Sequence, residues 1–532
     1  MSLMSDRERT FARAISRLAG ANPFLPERID AEREALGPDF VEAGTVWHAR
    51  ARSDAYPNLA ALDQRASLLA GALRRKLAAG TPAEGDEALL YEDLVLYVLS
   101  TRYLPALQSL VDEPRKATAP VAAYTPFAQD VAHYLDLPGL NPEPNPEKGP
   151  ERPAPPTLPT RNDPAHLWAL FFQVRRAFHA TFTHILGGSL PAARLRAAVW
   201  QSIFTHDARR YRRGLHARMH DLTTLITGPS GTGKELVAQA IGAARYVPFD
   251  PARRAFAEDF TASFFPLHLA GLPATLVESE LFGHRRGALT GAVQDRAGWL
   301  ETCPAHGTVF LDELGELEPA LQVKLLRVLQ ARAFHRIGET RERPFQGKLI
   351  AATNRDLALE IDAGRFREDL FYRLCGDVIE TPSLAAQLRE TPGELGHLLR
   401  VLAARVAGEE EAEALAAEAE GWIGRHLGPG YAWPGNVREL EQCLRNVMVR
   451  GEYRPRRAAP VTGSEDLAAA IRAGALTADE LLRRYSTLVF ARTGSYEEAA
   501  RRLGLDRRTV KAKVDPGMLE ALRAGNGQGA ER

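Results

Sequence analysis

The chain has 532 residues, and its 67 lysines and arginines balance 67 aspartates and glutamates, which gives a formal net charge of zero at pH 7. This length predicts two to four domains, and the zero net charge excludes a global electrostatic attraction to nucleic acid or membranes, so any such site must be local. The three cysteines, Cys303, Cys375 and Cys443, are widely separated, which argues against a disulfide framework and favours a reducing, cytoplasmic location.

The first 136 residues are predicted to form an α-helical domain. Segments such as LAALDQRASLLAGALRRKLAAG (59–80) carry apolar residues three and four apart, which is the spacing of one helix face. The charged start, MSLMSDRERTFARAI, lacks the apolar region of a signal peptide, and no apolar run is long enough to span a bilayer. We therefore expect no membrane association. A receiver domain is not expected either, because β/α alternation with a phosphoacceptor aspartate is missing.

Residues 137–164 are predicted to be a linker, because their density of proline forbids both helix and sheet. Asp163 can then cap, and Pro164 can open, a connecting helix within residues 165–189. From 190 to 380 short apolar runs alternate with helices, which is typical of an α/β domain with a parallel sheet. The runs predicted as strands are LTTLITG (222–228), GTVFLDE (307–313) and KLIAATN (348–354). Residues 381–455 are predicted to form a helical lid.

A phosphate-binding P-loop is predicted at GPSGTGKE, which follows the first of these strands and precedes a helix. Its glycines would let backbone N–H groups surround phosphate oxygens at the helix N-terminus, and Lys234 would bring positive charge to the β- and γ-phosphates. A plain glycine turn is the alternative. The candidate nucleotide-binding residues are Gly228, Pro229, Ser230, Gly231, Thr232, Gly233, Lys234 and Glu235.

Polar side chains end the next two predicted strands. Asp312 can hold Mg²⁺ through water, and its neighbour Glu313 can orient an attacking water. Asn354 ends the third strand where a γ-phosphate is expected, and a turn residue is its alternative interpretation. Together with the P-loop, these residues predict an ATPase.

Arginines form a second group of candidates. In GRFREDLFYRL (364–374), Arg365, Arg367 and Arg373 lie near one another. They are either surface residues paired with nearby acids, or one or two of them reach a neighbouring subunit's nucleotide as arginine fingers, which would require an oligomer. Arg438, in the first turn of a helix in the lid, is either a further nucleotide contact or half of a helix-start ion pair.

Residues 470–516 are predicted to form three short helices, and the last two show a helix-turn-helix pattern. Thr477 and Glu480 form a capping box, and Asp506 can cap the last helix. The alternative is a three-helix interaction module with a solvated basic face. Residues 517–532 are expected to be a disordered tail. The side chains suited to phosphates and base edges in a major groove are Arg507, Arg508, Thr509, Lys511 and Lys513.

The central block, about residues 190–450, resembles the AAA+ domain of bacterial enhancer-binding proteins, the ATP-driven activators of sigma-54 RNA polymerase. The resemblance rests on eight motifs in family order: GPSGTGKE, ESELFGHRRGALTGA, GTVFLDELGE, LQVKLLRVLQ, RIGE, AATNRDL, FREDLFYRL and WPGNVREL. The C-terminal helices resemble the Fis-type domain that ends many members. The resemblance implies a multidomain activator: a homo-oligomeric ring, a hexamer, which binds DNA at an upstream activating sequence and hydrolyses ATP with Mg²⁺ to remodel the sigma-54 holoenzyme.

The resemblance also implies roles for the candidate residues. Lys234 would bind phosphate, Asp312 the metal, and Glu313 would activate water. Asn354 and Arg438 would be the first and second sensors, and the trans-acting fingers would be Arg367 and Arg373. The helical N-terminal domain would be a sensor or partner-binding module that restrains the ring.

The segment GALTGA matches the family's loop GAFTGA, which touches the sigma factor; its residues are Gly287, Ala288, Leu289, Thr290, Gly291 and Ala292. Two positions depart from the family pattern. Leu289 stands in place of phenylalanine, and His268 stands in place of an asparagine that bonds the water-activating glutamate. We expect the His268 imidazole to donate to Glu313 and to preserve an altered switch. Two other functions stay open: a DNA-binding AAA+ regulator without sigma-54 contact, and an AAA+ protein remodeller outside transcription.

Overall fold

The computed structural model describes residues 2–42, 57–138, 140, 163–290, 292–428, 430–455 and 476–515, with the single positions 467, 471, 518 and 519. The chain divides into two units, Met1–Val449 and Arg450–Arg532. Most of the predicted linker and most of the predicted C-terminal tail lie outside the described residues.

The N-terminal region is helical, as predicted. Its helices are α1 (Asp6–Gly20), α2 (Glu27–Leu36), α3 (Pro57–Ala78), α4 (Glu87–Arg102), α5 (Leu104–Asp112) and α6 (Tyr124–Leu135). Ser5 and Glu8 form a capping box that starts α1. Among the described residues no single helix has the length and apolar character of a membrane span, and α4 and α5 meet that test only as a pair bent by 52°.

The N-terminal helices share a hydrophobic core with part of the central region. This core contains Phe249 and Phe256, which belong to a small antiparallel ribbon of β2 (Phe249–Asp250) and β3 (Ala255–Phe256). Tyr124 of α6 lies with its ring centroid 4.5 Å from that of Phe249, and the Val121 N–H donates to the Arg254 carbonyl at 2.7 Å. Burial of these rings joins the two regions into one unit.

Helix α7 (Pro164–His184) lies between these two regions. The Asp163 carboxylate accepts from the Ala165 N–H at 3.0 Å, so the predicted cap is confirmed. Phe172 of this helix lies with its ring centroid 4.5 Å from that of Phe256. Apolar spacing in the sequence predicts a buried side of this helix with Phe171, Val174, Phe178 and Ile185. Val174 is exposed instead, so the buried face is rotated towards Trp168 and Phe172.

A five-stranded parallel sheet forms the centre of the first unit, in the order β11-β1-β10-β7-β4. Its strands are β1 (Thr224–Thr227), β4 (Phe264–His268), β7 (Thr308–Asp312), β10 (Lys348–Thr353) and β11 (Asp377–Glu380). The three predicted strands, β1, β7 and β10, are confirmed and are the inner ones. The sequence did not predict the edge strands β4 and β11. Strand β4 contains Pro266 and strand β11 exposes Val378, so neither strand forms a continuous apolar run.

Two further ribbons lie beyond the sheet: β5 (Gly283–His284) pairs with β6 (Arg296–Ala297), and β8 (Ala333–Phe334) pairs with β9 (Arg343–Pro344). The helices around the sheet are α8 (Leu190–Phe204), α9 (Ala208–Arg213), α10 (Lys234–Ala243), α11 (Ala274–Phe282), α12 (Trp299–Thr302), α13 (Pro319–Ala331), α14 (Leu357–Asp362) and α15 (Glu368–Leu374). Four helices follow the sheet in the predicted lid: α16 (Leu384–Glu390), α17 (Glu394–Ala407), α18 (Ala412–His426) and α19 (Asn436–Arg450).

The second unit contains three helices among its described residues: α20 (Ala478–Thr493), α21 (Tyr496–Leu503) and α22 (Arg507–Lys513). The capping box of Thr477 and Glu480 is confirmed. Apolar spacing in the sequence predicts a buried face of α20 that includes Tyr485. This prediction is partly wrong, because Tyr485 is 52% exposed whereas Phe490 is buried. Phe490 stacks on Tyr496 with ring centroids 4.0 Å apart, so this aromatic pair, and not Tyr485, holds α20 against α21.

Candidate functional site

The loop between β1 and α10 adopts a conformation that only glycine accepts readily. Gly228, Gly231 and Gly233 have φ angles of 133°, 78° and 88°, in the region where a Cβ is unfavourable. A Cβ at Gly231 would also overlap the carbonyl oxygen of Gly435. The glycines predicted for phosphate binding are therefore required by the backbone itself.

Lys234 is the first residue of α10 and is buried. Its Nζ donates to the carbonyl oxygens of Gly228 at 3.0 Å and Pro229 at 3.2 Å. Burial lowers the pKa of Lys234, and the nearby carboxylates of Glu313 and Asp312 oppose that shift. The ammonium group is thus folded back over the loop that would hold the phosphates.

Asp312 and Glu313 follow one another at the carboxyl end of β7. Glu313 has a left-handed backbone, with φ 57° and ψ 48°, and its N–H donates to Asp312 Oδ1 at 3.1 Å. A non-glycine residue in this region costs about 1–3 kcal/mol and is held there by its surroundings. Both carboxylates line one cavity with Lys234.

His268 lies beside Asp312, which differs from the sequence expectation. It is the last residue of β4 and is paired in register with Asp312 of β7, and its Nδ1 is 3.1 Å from Asp312 Oδ2. The expected hydrogen bond to Glu313 is not formed, because parallel pairing places residue 268 across from residue 312 and Glu313 turns out of the strand. Sequence reasoning missed this partner since it did not predict β4.

A cavity of about 340 Å³ joins the loop, the acidic strand end and the lid. One end is polar and is lined by residues 230–235, by Asp312 and Glu313, and by His268. The other end is mostly apolar and was not predicted: its lining includes Ile185, Leu186, Ala192, Leu195 and Leu398. The nearest sequence signal was the Gly187-Gly188 pair after α7, which marks a turn but not the cavity.

The turn after α7 is fixed by two buried charged residues. The Gly188 N–H donates to both carboxylate oxygens of Glu394, at 2.9 and 3.0 Å, and Arg196 Nη2 donates to the Ile185 carbonyl at 2.9 Å. Burial lowers the pKa of Arg196 to about 10, and the charge of Glu394 opposes this. These bonds connect the turn at the apolar end of the cavity to α8, through Arg196, and to α17, through Glu394.

The lid is bonded directly to the glycine loop. Asn436, which starts α19 with a φ of 53°, donates from Nδ2 to the Ser230 carbonyl at 2.9 Å and accepts from the Leu384 N–H at 2.9 Å. The Val437 N–H donates to the Gly231 carbonyl at 3.1 Å. These bonds place Arg438 in the wall of the cavity, and its contact with a nucleotide stays a prediction.

Five residues predicted for the nucleotide site do not line the cavity: Gly228, Pro229, Asn354, Arg367 and Arg373. Asn354 is exposed just after β10, and Arg367 and Arg373 are exposed at α15. Arg367 forms an ion pair with Asp369 at 2.7 Å, which matches the surface interpretation. The backbone N–H of Arg367 donates to Gln322 Oε1 at 2.9 Å, so a buried side chain of α13 fixes this outward segment.

The GALTGA segment forms a tight turn between β5 and β6. The Gly287 N–H donates to the Ala292 carbonyl at 2.9 Å, and the Ala292 N–H donates to the Leu289 carbonyl at 3.0 Å. Gly291 lies outside the described residues. Leu289 is half-buried and Thr290 is exposed, whereas Val293, which the sequence did not single out, is 75% exposed.

Asp295 stabilises the base of this turn through an ion pair and a hydrogen bond. Its carboxylate pairs with Arg285 at 2.7 Å and accepts from the Arg286 N–H at 2.8 Å. On the other side a Cβ at Gly338 would lie 2.7 Å from the Ala288 Cβ, so a glycine turn in RIGE packs against the GALTGA segment. Two of the family motifs thus meet at this turn.

The basic side chains of α22 are partly engaged within the unit. Arg507 pairs with Glu497 at 2.7 Å and Lys513 pairs with Asp479. Arg508 and Lys511 are exposed, and Thr509 is half-buried. Asp506 caps α22 as predicted, with its Oδ1 accepting from the Arg508 N–H at 2.7 Å.

Residues 206–380 match the family described as the Sigma-54 interaction domain. The transcriptional regulatory protein ZraR of Escherichia coli (strain K12) is 38% identical over 306 residues, which are 55% of this chain and 63% of ZraR. The Nif-specific regulatory protein of Azotobacter vinelandii is 42% identical over 230 residues, 43% of this chain and 40% of that protein. The chain thus spans less than two thirds of the length of these relatives.

Among solved structures, NtrX from Brucella abortus in complex with ATP is 24% identical, with a TM-score of 0.37, and the match covers 66% of this chain and 72% of that chain. The family match and the curated relatives confirm the resemblance that the motifs indicated, and the matched residues contain the glycine loop, the acidic strand end and the GALTGA turn.

Proposed function

We propose that this chain, whose residues 206–380 match the Sigma-54 interaction domain, is an enhancer-binding protein that hydrolyses ATP in a ring of subunits to remodel sigma-54 RNA polymerase at promoters. The observation that carries the proposal is one cavity that brings together Lys234, the acidic pair Asp312-Glu313 and Arg438 of the lid. We assign residues 190–380 to the ATPase core, 381–455 to the lid and 470–516 to DNA binding. Residues 1–136 form the regulatory region in this assignment.

The polar end of the cavity suits the triphosphate of ATP and its apolar end suits the base. Lys234 would exchange its two carbonyl contacts for phosphate oxygens, and the backbone N–H groups of the loop would hold the rest. Arg438 stands across the glycine loop, where it would contact the phosphates only when the lid is closed. The cavity volume of about 340 Å³ falls within the range of small-molecule sites.

Mg²⁺ fits the polar end, because in nucleotide sites it takes one or two carboxylates, with phosphate oxygens and waters as the other ligands. Asp312 is the carboxylate in the position to hold it. When bound, Mg²⁺ neutralises charge that develops on the phosphates. Within the described part of the chain no group of three His, Cys, Asp or Glu side chains could hold a metal alone, which agrees with a site that the nucleotide completes.

Hydrolysis transfers the γ-phosphoryl group of ATP to a water oxygen, with ADP as the leaving group. Glu313 would orient that water and receive its proton, while the P–O bond to ADP breaks and inorganic phosphate leaves. His268 would hold Asp312 in place. Arg367 and Arg373, exposed on α15, would reach the nucleotide of the adjacent subunit, so turnover would require assembly into a ring, for which we propose a hexamer.

The GALTGA turn would transmit this cycle to the sigma factor. Asp295 holds its base through Arg285 and the Arg286 N–H, whereas the exposed Thr290 and the half-buried Leu289 at its tip would meet the protein surface of the partner. In the second unit, Arg508 and Lys511 of α22 are exposed and form no ion pair with a described residue, and they would contact DNA. Arg507 and Lys513 would first have to leave their acidic partners.

The test combines an ATPase assay with promoter opening by sigma-54 holoenzyme on supercoiled DNA. Lys234→Ala and Glu313→Gln are expected to abolish both activities, whereas Lys324→Ala, on the surface of α13, is expected to keep both. ATPase activity without opening by sigma-54 holoenzyme, but with an effect on another holoenzyme, would favour a regulator without sigma-54 contact. Hydrolysis without DNA binding in a gel-shift assay would favour a remodeller outside transcription.

A further inference from the structure

A second cleft lies along α7. It has a volume of about 410 Å³ and is formed by α5, α7, α10 and the segment before β4. Most of its lining is apolar, from Leu110, Val111, Phe172, Ala180, Ala243, Phe260 and Phe264. The cleft therefore offers a surface for the hydrocarbon part of a small molecule.

Arg176 lines this cleft and is only 8% exposed. Its guanidinium carbon lies 4.1 Å from the ring centroid of Phe260, and its Nη1 makes one long hydrogen bond of 3.4 Å to the Arg245 carbonyl. Burial lowers its pKa to about 9. Within the described residues no carboxylate pairs with Arg176, whereas Arg212, whose side chain is 14% exposed, pairs with Glu92 at 3.1 Å.

A buried cation without a counter-ion is costly, and proteins normally pair such a charge. Stacking on Phe260 offsets part of this cost, but it leaves the in-plane N–H donors of the guanidinium without an anionic acceptor. A carboxylate matches these donors in charge and in its two-oxygen geometry. A phosphate dianion would bring a second charge into a lining that contains no other arginine or lysine.

We propose that this cleft is a binding site for a small carboxylic acid with an aromatic or aliphatic body. The carboxylate sits on Arg176, and the body packs between Phe172, Phe260 and Leu110. Hydroxyl and amide groups at the rim, from Thr183, Gln239 and Thr261, satisfy remaining oxygens of the ligand.

Two residues connect this cleft to the cavity that holds Lys234. His184 lines both. Gln239 lines the cleft and donates from Nε2 to Glu235 Oε1 at 3.2 Å, and Glu235 lines the Lys234 cavity. A ligand that moves either residue changes nucleotide affinity, and nucleotide changes ligand affinity by the same factor. This consequence rests on the proposed function, whereas binding of the carboxylate does not.

Calorimetric titration of the full chain without nucleotide tests the site, with benzoate and hexanoate as probes and benzamide as the neutral counterpart of benzoate. We expect saturable binding of the acids, at least about tenfold tighter than that of benzamide. Arg176→Gln is expected to weaken benzoate binding at least about tenfold, because a buried charged hydrogen bond is removed. Arg175→Gln, one position along the same helix and outside the cleft, is the matched control and is expected to keep the affinity.

Equal affinity for benzoate and benzamide, or equal benzoate affinity in wild type and Arg176→Gln, overturns the proposal, as does the absence of saturable binding of both acids. If Arg176→Gln does not fold, Arg176→Lys replaces it, since it keeps the charge but loses the two-pronged geometry. Because no nucleotide is present, the result is independent of ATPase activity, so failure here and failure of the proposed function are separate outcomes.

Discussion

His268 Nδ1 lies 3.1 Å from Asp312 Oδ2, at directly paired positions of two neighbouring parallel strands. The imidazole therefore orients the carboxylate proposed to hold Mg²⁺, and it acts on Glu313 only through the backbone. The strand register thus directs the side chain of residue 268 to Asp312 and not to Glu313, the partner that the resemblance implies for this position.

We expect His268→Ala to lower the ATPase kcat about tenfold, because Asp312 loses a hydrogen bond worth about 1.5 kcal/mol to a charged group. The kcat of His268→Asn is expected to lie between those of the natural chain and His268→Ala, because the shorter amide reaches Asp312 less well. Steady-state rates at saturating ATP measure this. His335→Ala, an exposed histidine on another loop, is the control. Equal rates in all four proteins would show that the contact has no catalytic consequence.

Substitution of Gly231 tests the bond between the glycine loop and the lid. Gly231→Ala forces a Cβ against the Gly435 carbonyl in addition to the cost of a positive φ, so we expect the lid to separate and nucleotide affinity to fall at least about tenfold. Gly271→Ala is a matched control, because Gly271 has a φ of 79° but open space around it. It should cost only about 1 kcal/mol of stability.

Binding of a fluorescent ATP analogue, together with urea unfolding, separates the two effects. The expected pattern is a loss of affinity at Gly231 alone, with a larger loss of stability at Gly231 than the small loss at Gly271. Weaker nucleotide binding by Gly271→Ala as well would contradict the role given to the lid.

Local features of this molecule were predictable from the sequence. Asp163, Thr477 and Asp506 cap their helices as expected, since a cap depends on residues within one turn. The inner strands β1, β7 and β10 were found because they are buried on both faces and form continuous apolar runs. The glycine loop was found because its conformation restricts the residue type.

Features that depend on tertiary register were not predictable. The contact of His268 with Asp312 requires an edge strand with a proline in it, and the apolar end of the cavity comes from α8, α17 and the turn after α7, which are far apart in the chain. Arg176 gave no signal either, because an arginine without an acid nearby in sequence normally reaches solvent. Its burial follows from the rings of Phe172 and Phe260, which fold over it from two different elements.

Glu394 is expected to stabilise the apolar end of the cavity. The Glu394 carboxylate accepts from the Gly188 N–H and its charge interacts with the buried Arg196. Because Glu394→Gln removes this charge, we expect the free energy of unfolding to fall by about 2 kcal/mol. Urea unfolding measures the change. Glu413→Gln, at an exposed position of α18, is the control and should change stability by less than about 0.5 kcal/mol. Equal stability of the two variants would contradict the structural role of Glu394.

The shared core of the N-terminal helices and the central region is tested at Phe256. Phe256→Ala removes a buried ring that contacts Phe172, and we expect the free energy of unfolding to fall by about 3–5 kcal/mol. Because both regions bury this ring, their unfolding transitions should shift together in circular dichroism and in tryptophan fluorescence. Leu359→Ala, on the surface, is the control. A shift confined to one region would mean that the two do not fold as one unit.

Substitution of Leu289 tests whether promoter opening can be lost while ATP hydrolysis is kept. Its side chain is half-buried within the GALTGA turn and lies outside the cavity lining, so Leu289→Ala should leave the ATPase rate within about twofold. Promoter opening should fall at least about tenfold, because truncation of an apolar anchor at the centre of an interface weakens binding. Leu289→Phe restores the family's residue and should open promoters at least as well as the natural chain, and Leu359→Ala is the control for truncation of an exposed leucine elsewhere.

Val293 is the most exposed apolar side chain beside the turn, so Val293→Ala completes this experiment by distinguishing two places of contact. If Leu289→Ala abolishes opening and Val293→Ala does not, the sigma factor touches the tip of the turn. If Val293→Ala alone abolishes opening, the sigma factor touches the outer flank, and the role given to Leu289 is wrong.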